Sequence, residues 1–450
     1  MVMGDMEMST DLLVIGGGPG GYGAAFRAVD LGLDVILVEQ RQRLGGLCLH
    51  AGCIPAKTLL HLTQLLDETR RAKKMGLHFG EPEIDLAALR NWQQQVITSM
   101  ADNLTNLGKR RGVLVLRGRA RFSGAGAVRL EGAEISGIKF KQAIIATGSR
   151  PRLLPGLVLS PGGRIMDSTA ALALTEIPKT LLVVGGGYVG LELGSIYASL
   201  GSRVTLMEKQ DRLLAKADAD LVAPLQARLA EQFAATHLAT RVEGLEETEA
   251  GVTVRYTQGG KTTEQPAEHV LLTIGRIPNS DDLGLEHTGV SLDSRGFIKI
   301  DDQLRTTDAR IFAAGDVTGG VMLAHKATRQ GRIAAEVIGG KKVGFDVRAI
   351  PAVVYTEPQI AWCGLTEEGA RRENIPHAVQ RCLLQDSGRT MNGFTKLLSH
   401  PADGRILGVG LVGGDAEGFI GEAALAIEMG ALAEDLALVL HPYPTMAEGQ

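Results

Sequence analysis

The sequence predicts an α/β protein with two alike parallel-sheet domains and a C-terminal α+β domain. Three features predict it. A glycine-rich strand, turn, helix, strand unit opens the chain, a second copy begins about 170 residues later, and two β-rich runs occupy the last part. The length of 450 residues accommodates roughly three domains of about 150 residues each.

The first unit, DLLVIGGGPGGYGAAFRAVDLGLDVILVEQ, starts as a buried-strand run and turns through Gly16, Gly18 and Gly21. It continues as an Ala-rich helix and returns as a strand ending at Glu39. The second, KTLLVVGGGYVGLELGSIYASLGSRVTLMEK, repeats the pattern with Gly185, Gly187, Gly190 and Glu208, and each acid falls 23 positions after the first glycine. Both read as Rossmann-like dinucleotide-binding units. The first glycine permits the tight turn, the second lets backbone approach a pyrophosphate, and the third lets helix and strand pack closely. The diphosphate then lies at the positive end of the helix dipole. Glu39 and Glu208 are placed to accept hydrogen bonds from an adenosine ribose, and an acid at 208 without a neighbouring arginine favours NAD over NADP. Two such sites in one chain point to electrons passing between two dinucleotides, with FAD and a nicotinamide as the natural pair.

Between the two units lies GGLCLHAGCIPAK, with Cys48 and Cys53. PAKTLLHLTQLL carries apolar residues at helical spacing behind an early proline, which predicts a helix starting at or just after Cys53. A thiol there is biased toward thiolate by the helix dipole and the open N–H groups. A redox pair is the favoured reading; a passive disulfide and half of a zinc site, with His50 and His61 as further ligands, remain open.

The formal charge of −4 and a pI near 6.2 give no electrostatic case for nucleic acid or an anionic membrane surface. The N-terminus lacks a basic region followed by a long apolar core, and the longest apolar runs are too short to span a bilayer. The expectation is a cytoplasmic protein. Four cysteines, at 48, 53, 363 and 382, are too few for a disulfide scaffold, so Cys363 and Cys382 read as buried or idle thiols.

GGLCLHAGCIPAK behind GGGPGG resembles the active-site segment of the class I FAD-dependent pyridine nucleotide-disulfide oxidoreductases, their dihydrolipoamide dehydrogenase branch above all. IIATGSRP (144–151), LLTIGRIPN (271–279), RIFAAGD (310–316), MLAHKA (322–327) and the tail GEAALAIEMGALAEDLALVLHPYPTMAE extend the resemblance over essentially the whole chain. It implies an FAD-binding domain from residues 1–150 and 276–348, an NAD-binding domain from 151–275, and a dimerisation domain from 349–450. It implies that Cys53 lies beside the flavin, giving a charge-transfer pair on reduction, and that Cys48 exchanges with substrate. Lys57 would pair with Glu192 near the flavin's reactive nitrogen. Tyr188 would cover the flavin where nicotinamide enters. Thr147, Gly148 and Asp316 would belong to the FAD site, and a helix opening at Ala324 and His325 would aim its positive end at the flavin.

The implied reaction takes dihydrolipoamide and NAD+ to lipoamide and NADH, on a lipoyl-bearing partner protein and in a homodimer whose tail completes the partner subunit's site. The tail departs from the branch's pattern. HPYPTMAE keeps His441, Pro444, Thr445 and Glu448 but puts Tyr443 where the branch has its acid-base histidine. A phenol titrates near ~10 and imidazole near ~6.5, so tyrosine is the poorer base near neutrality. Mercuric reductases share a tyrosine there, which makes a metal-ion or other disulfide reductase the alternative, although the cysteine pair ending those enzymes has no counterpart before Gln450. The chain also reads as short of the family's usual last helix, as a truncated chain does.

Overall fold

The structure is a computed structural model that describes residues 7–80, 82–124, 126–132, 135–384 and 393–441. They fall into two compact units. The first comprises residues up to Pro55, Arg90–Arg152 and Arg276–Asp346; the second comprises Ala56–Leu89, Leu153–Gly275 and Val347 onward.

In the first unit the Glu7–Ile15 strand is central. Val35–Glu39 and Gly137–Ile145 flank it in parallel, Leu114–Arg117 extends one edge, and Ile311–Ala313 pairs in parallel with Gly137–Ile145. A hairpin of Arg119–Gly124 and Ala127–Glu131 adds antiparallel strands. Leu12, Leu13, Val14 and Ile15 are all buried, because helices cover one face and the hairpin side covers the other. The Pro19–Asp30 helix packs on the Ala324–Ile338 helix through glycine: a Cβ at Gly331 would sit 2.0 Å from the Gly20 carbonyl oxygen. Only a residue without a side chain permits that approach.

The second unit repeats the plan with a parallel sheet ordered Ala235–His237, Arg203–Met207, Thr180–Val184, His269–Leu272, Ile165–Asp167. Beside it stands a three-stranded antiparallel sheet, Thr240–Thr248, Gly251–Gln258 and Lys261–Ala267. The C-terminal part is antiparallel: Ala352–Val354, Gln359–Gly364, Ile406–Gly413, Gly393–Ser399, Ala378–Leu384, with the Ala416–Met429 helix against it. The turn between Gly393–Ser399 and Ile406–Gly413 is HPADGR, the polar connection the sequence predicts. Among the described residues no helix is long and apolar enough to cross a membrane.

Candidate active site

Gly45 and Gly46 take left-handed conformations, φ 124° and 59°, that turn the chain into the short Gly46–Ala51 helix. A Cβ on Gly46 would come within 2.6 Å of the Gly18 Cα, and the Gly45 N–H donates to the Gly17 carbonyl at 2.8 Å. The cysteine segment is thus held to the first glycine turn by close backbone contact. Cys48 sits on the short helix and Cys53 opens the Cys53–Ala72 helix, with Cα atoms 4.7 Å apart and a disulfide between them. Cys53 is exposed and Cys48 half-buried. His50 Nε2 lies 3.0 Å from the Leu44 carbonyl oxygen, which holds the short helix back on the loop before it.

His61 is exposed, and among the described residues no three His, Cys, Asp or Glu side chains gather as a metal site. Cys363 is buried and its thiol is pushed up to about 12 by desolvation, so it stays protonated near neutrality; Cys382 is exposed.

The two dinucleotide turns have one geometry. Gly16 and Gly185 have φ of 105° and 112°, and a Cβ on either would strike a carbonyl oxygen, of Ala146 at 2.4 Å or Thr273 at 2.5 Å. Gly21 and Gly190 face the carbonyl oxygens of Gly16 and Gly185, which a Cβ would meet at 1.7 and 2.0 Å. The fold itself therefore requires the outer glycines.

The middle ones differ. Gly18 and Gly187 have ordinary extended backbones and cap their helices without any side-chain hydrogen bond. A Cβ on Gly187 would meet no protein atom within 4 Å, and one on Gly18 none nearer than 3.6 Å. Among the described residues nothing demands glycine there, while a phosphate approaching the helix N-terminus does. Both turns fit a dinucleotide.

Each acid is also fixed by its own turn. Glu39 accepts from the Gly17 N–H at 2.7 Å and the Arg41 N–H at 2.9 Å. Glu208 accepts from Gly186 at 2.5 Å and Gln210 at 2.7 Å. Beside Glu208 a cavity of about 700 Å³ opens, lined by Gly185, Lys209, Arg241, Thr273 and Ile274 among others. Arg241 is paired with Glu243 at 3.5 Å. The sequence shows no arginine next to Glu208, yet folding of the Thr240–Thr248 strand brings one into the same cavity.

In the first unit, Gly148 turns at φ 74° and Thr147 Oγ1 donates to the Asn279 carbonyl at 2.6 Å, while Asn279 Nδ2 donates to the Thr147 carbonyl at 2.9 Å. Asp316 accepts from Ser149 Oγ at 2.5 Å. Ser149 Oγ in turn accepts from Arg276 Nε at 2.7 Å, and because arginine only donates, the hydroxyl proton must point at Asp316. Ala324 is the first residue of its helix. Two residues on, buried Lys326 donates to the Gly319 carbonyl at 2.7 Å; burial pushes its ammonium down, and the Asp316 charge opposes this. Ser149, Arg276, Asn279 and Lys326 were not singled out from sequence. Their motifs, ATGSRP, GRIPN and HKA, were the available signal.

In the second unit Lys57 and Glu192 meet, as expected. Lys57 Nζ donates to both Glu192 oxygens, at 3.0 and 2.8 Å. The Glu192 side chain is 4% exposed and that of Lys57 32%. Tyr355, absent from the sequence reading, donates its backbone N–H to Glu192 at 3.1 Å and sets its ring 4.0 Å from the ammonium. Tyr188 is the first residue of its helix and 39% exposed. Tyr443 and Glu448 lie outside the described residues. His441 is described, with Nε2 3.0 Å from Glu422 Oε1.

A disulfide couple, two dinucleotide turns and a lysine paired with a buried glutamate define an oxidoreductase that exchanges electrons between disulfide and pyridine nucleotide. Comparison with known proteins agrees. Residues 10–331 match the model of the pyridine nucleotide-disulphide oxidoreductases, and residues 350–450 match the dimerisation domain of the same enzymes. The chain belongs to the pyridine nucleotide-disulphide oxidoreductase family.

It is 42% identical over 451 residues to the dihydrolipoyl dehydrogenase of Vibrio parahaemolyticus, covering 98% of this chain and 94% of that one. It is 41% identical to the dihydrolipoyl dehydrogenase of Geobacillus stearothermophilus, covering 100% and 96%. Among solved structures, LpdA of Mycobacterium tuberculosis superposes with a TM-score of 0.89 at 30% identity, over 98% of each chain. The HOCl-induced flavoprotein disulfide reductase RclA of Escherichia coli gives 0.85 at 27%, over 97% of this chain and 98% of that one, and a Cu(II) complex of its cysteine variant gives 0.85 at 26%, over 98% of each. FAD and NAD are the cofactors of this enzyme class.

Proposed function

We propose that the chain oxidises dihydrolipoamide groups, borne on a partner protein, with NAD+ as acceptor, and does so with Tyr443 in place of the usual catalytic histidine. The observation that carries the reading is the Cys48–Cys53 disulfide at the head of a long helix, four positions before Lys57.

A substrate thiolate attacks Cys48 Sγ, forming a mixed disulfide and releasing Cys53 as thiolate. The second substrate thiol displaces Cys48, so the substrate leaves as cyclic disulfide and both cysteines are reduced. The helix N-terminus stabilises the Cys53 thiolate. FAD, when bound, supplies the two-electron link from this dithiol to NAD+. Lys57, held by Glu192, would keep a cation beside the flavin, and Asp316, oriented through Ser149 and Arg276, would hold the ribityl chain, with Thr147, Gly148 and Ala324 around it. Gly16, Gly18, Gly21 and Glu39 would seat FAD; Gly185, Gly187, Gly190 and Glu208 would seat NAD. This assigns residues 1–150 and 276–348 to FAD, 151–275 to NAD and 349–450 to dimerisation.

A homodimer is supported by exposed Leu425, Met429, Leu438 and Leu440, the last 96% exposed, at the end of the dimerisation domain. Glu448 serves as the tail's carboxylate. A cytoplasmic site of action goes with the reduced cysteine economy of the chain.

The test is a substrate panel on the purified yellow protein: dihydrolipoamide, lipoamide, glutathione disulfide and mercuric ion, each with NAD(H) and NADP(H). NADH formation dependent on dihydrolipoamide supports the proposal, and its absence overturns it. The second reading, a metal-ion reductase, rests on Tyr443 and on the copper complex of the E. coli relative. Nucleotide oxidation driven by mercuric or cupric ion would favour it.

Tyr443→His is expected to raise dihydrolipoamide turnover near neutral pH by about 10² or more, the worth of a matched acid-base group. Steady-state rates across pH 6 to 9 check this; no gain in a folded variant counts against proton transfer as the limiting step. Glu208→Gln is expected to raise KM for NAD+ roughly tenfold, since hydrogen bonds to a charged group are the stronger ones. The preference over NADP+ should narrow at the same time, because Arg241 and Lys209 then face a 2′-phosphate without a carboxylate opposing it. The ratio of kcat/KM values for the two nucleotides measures both effects.

A further inference from the structure

The Lys57–Glu192 pair is gripped on two sides by one residue. Tyr355 follows the Ala352–Val354 strand and reaches the pair twice, with its main chain on the carboxylate and its ring on the ammonium. Glu192 is a buried carboxylate, and such a group persists only where its oxygens are satisfied. The Tyr355 N–H occupies one lone pair of Oε1 and leaves the remaining sites to Lys57, which sets the carboxylate plane.

The ammonium has three donors. Both Glu192 oxygens take donors on one side, and the negative face of the Tyr355 ring attracts the charge on another. The competing carboxylate nearby is engaged elsewhere: Glu417 Oε2 accepts from Gln359 Nε2 at 3.1 Å, and the Glu417 N–H donates back to Gln359 Oε1 at 3.1 Å. Burial pushes the Tyr355 phenol up, with the charges of Glu417 and Glu192 adding to it, so the ring is neutral across the working pH range.

We propose that Tyr355 is a positioning residue for Lys57, its ring fixing the direction in which the ammonium is presented while its N–H fixes the partner carboxylate. The inference rests on the proposed role of Lys57 beside the flavin and adds a residue to it. The ring, not the hydroxyl, is the working part. Tyr355→Phe keeps both grips, since the backbone N–H is unaltered, whereas Tyr355→Leu keeps the N–H and loses the ring.

The experiment uses the FAD-loaded dimer and measures kcat with dihydrolipoamide and NAD+, KM for NAD+, and the flavin midpoint potential. Tyr355→Leu is expected to lower kcat roughly tenfold, the worth of a half-buried cation–π contact, with KM for NAD+ unchanged and the midpoint shifted downward as the cation is less well held. Tyr355→Phe is expected within about twofold of the parent chain. A cycle with Lys57→Met separates positioning from general damage. In the Lys57→Met background the Tyr355→Leu change should have no further effect on kcat or potential.

An equal loss in both backgrounds, or a Phe variant as impaired as the Leu variant, overturns the proposal and leaves the role of Lys57 standing. A Lys57→Met enzyme with parental turnover and potential overturns the proposal together with the role given to Lys57. If Tyr355→Leu does not retain FAD, the Phe variant and a Tyr355→Trp variant carry the test: both keep a ring, and a parental potential in both is the expected result.

Discussion

Cys53→Ser is expected to abolish the long-wavelength absorption expected of the parent chain on two-electron reduction, and with it dihydrolipoamide turnover. The band needs a thiolate donor against the oxidised flavin, and serine supplies no donor of comparable energy. The loss of turnover has a separate cause, because without Cys53 the disulfide with Cys48 cannot form and the dithiol has no internal acceptor. The expected loss is complete, larger than any cost of misplacing a side chain.

Cys48→Ser differs in one respect. It also ends turnover, but it leaves Cys53 as a lone thiol at the N-terminus of the Cys53–Ala72 helix, where thiolate is favoured. That variant should show the band before any reductant is added. Absorption spectra of both variants, oxidised and after titration with dithionite, test the assignment. A band that persists in Cys53→Ser, or appears there and not in Cys48→Ser, would exchange the roles of the two cysteines.

What the sequence discloses and what it hides divide by the range of the interaction. The glycine turns are legible because their constraint is local and steric: Gly21 faces the carbonyl of Gly16, five residues back, and no side chain fits between. The acids at Glu39 and Glu208 are legible for the same reason, each being bound to its own turn. The short Gly46–Ala51 helix is not, since six residues opened by two left-handed glycines carry no periodicity to read.

Contacts between distant parts of the chain are hidden too. Lys57 meets Glu192 across 135 positions, and residue identities alone give no sign of it; the resemblance to known enzymes supplied the pairing. Tyr355 reaches Glu192 across 163 positions and Arg276 reaches Ser149 across 127, and neither was expected. Arg241 is the instructive case. Its absence from the immediate neighbourhood of Glu208 in sequence supported an inference about nucleotide choice, and the three-stranded sheet brings it into the same cavity regardless.

Lys396→Met should destabilise the second unit by about 3–5 kcal/mol, the cost of leaving buried charge without its partner. Lys396 lies mid-strand in Gly393–Ser399 with its side chain 1% exposed, and its ammonium is 2.8 Å from each of Asp218 Oδ2, Asp220 Oδ1 and Glu367 Oε2. Asp218 also accepts the N–H groups of Glu367 and Glu368, both at 3.0 Å, so the helix opening at Glu367 hangs on the same carboxylate. Arg381, paired with Lys396 across the strands, adds a 2.6 Å contact to Asp220 from the solvent side. Methionine fills the space and removes the charge, and three carboxylates then face one another with only arginines at the rim.

The sign of the pH dependence follows from both partners. Burial by itself would raise the Asp218 carboxyl, but the Lys396 ammonium and the two backbone donors outweigh it and hold it below the usual range. Burial would lower Lys396, and its three carboxylates outweigh that and raise it. The carboxylate's contribution is present above its unfolded value near ~3.9 and is lost as pH falls through the lower folded value; the lysine's is present below ~10.4 and is lost as pH rises through the higher folded one. The parent chain therefore keeps the full network across the neutral range. In Lys396→Met the stranded carboxylates relieve their repulsion by taking up protons, so the deficit should shrink as pH falls from 7 toward 5. Urea midpoints of the two chains at both pH values, followed through Trp362 in the same sheet, measure it. A deficit under about 1 kcal/mol at pH 7, or one that grows in acid, would show that the arginines carry the cluster without Lys396.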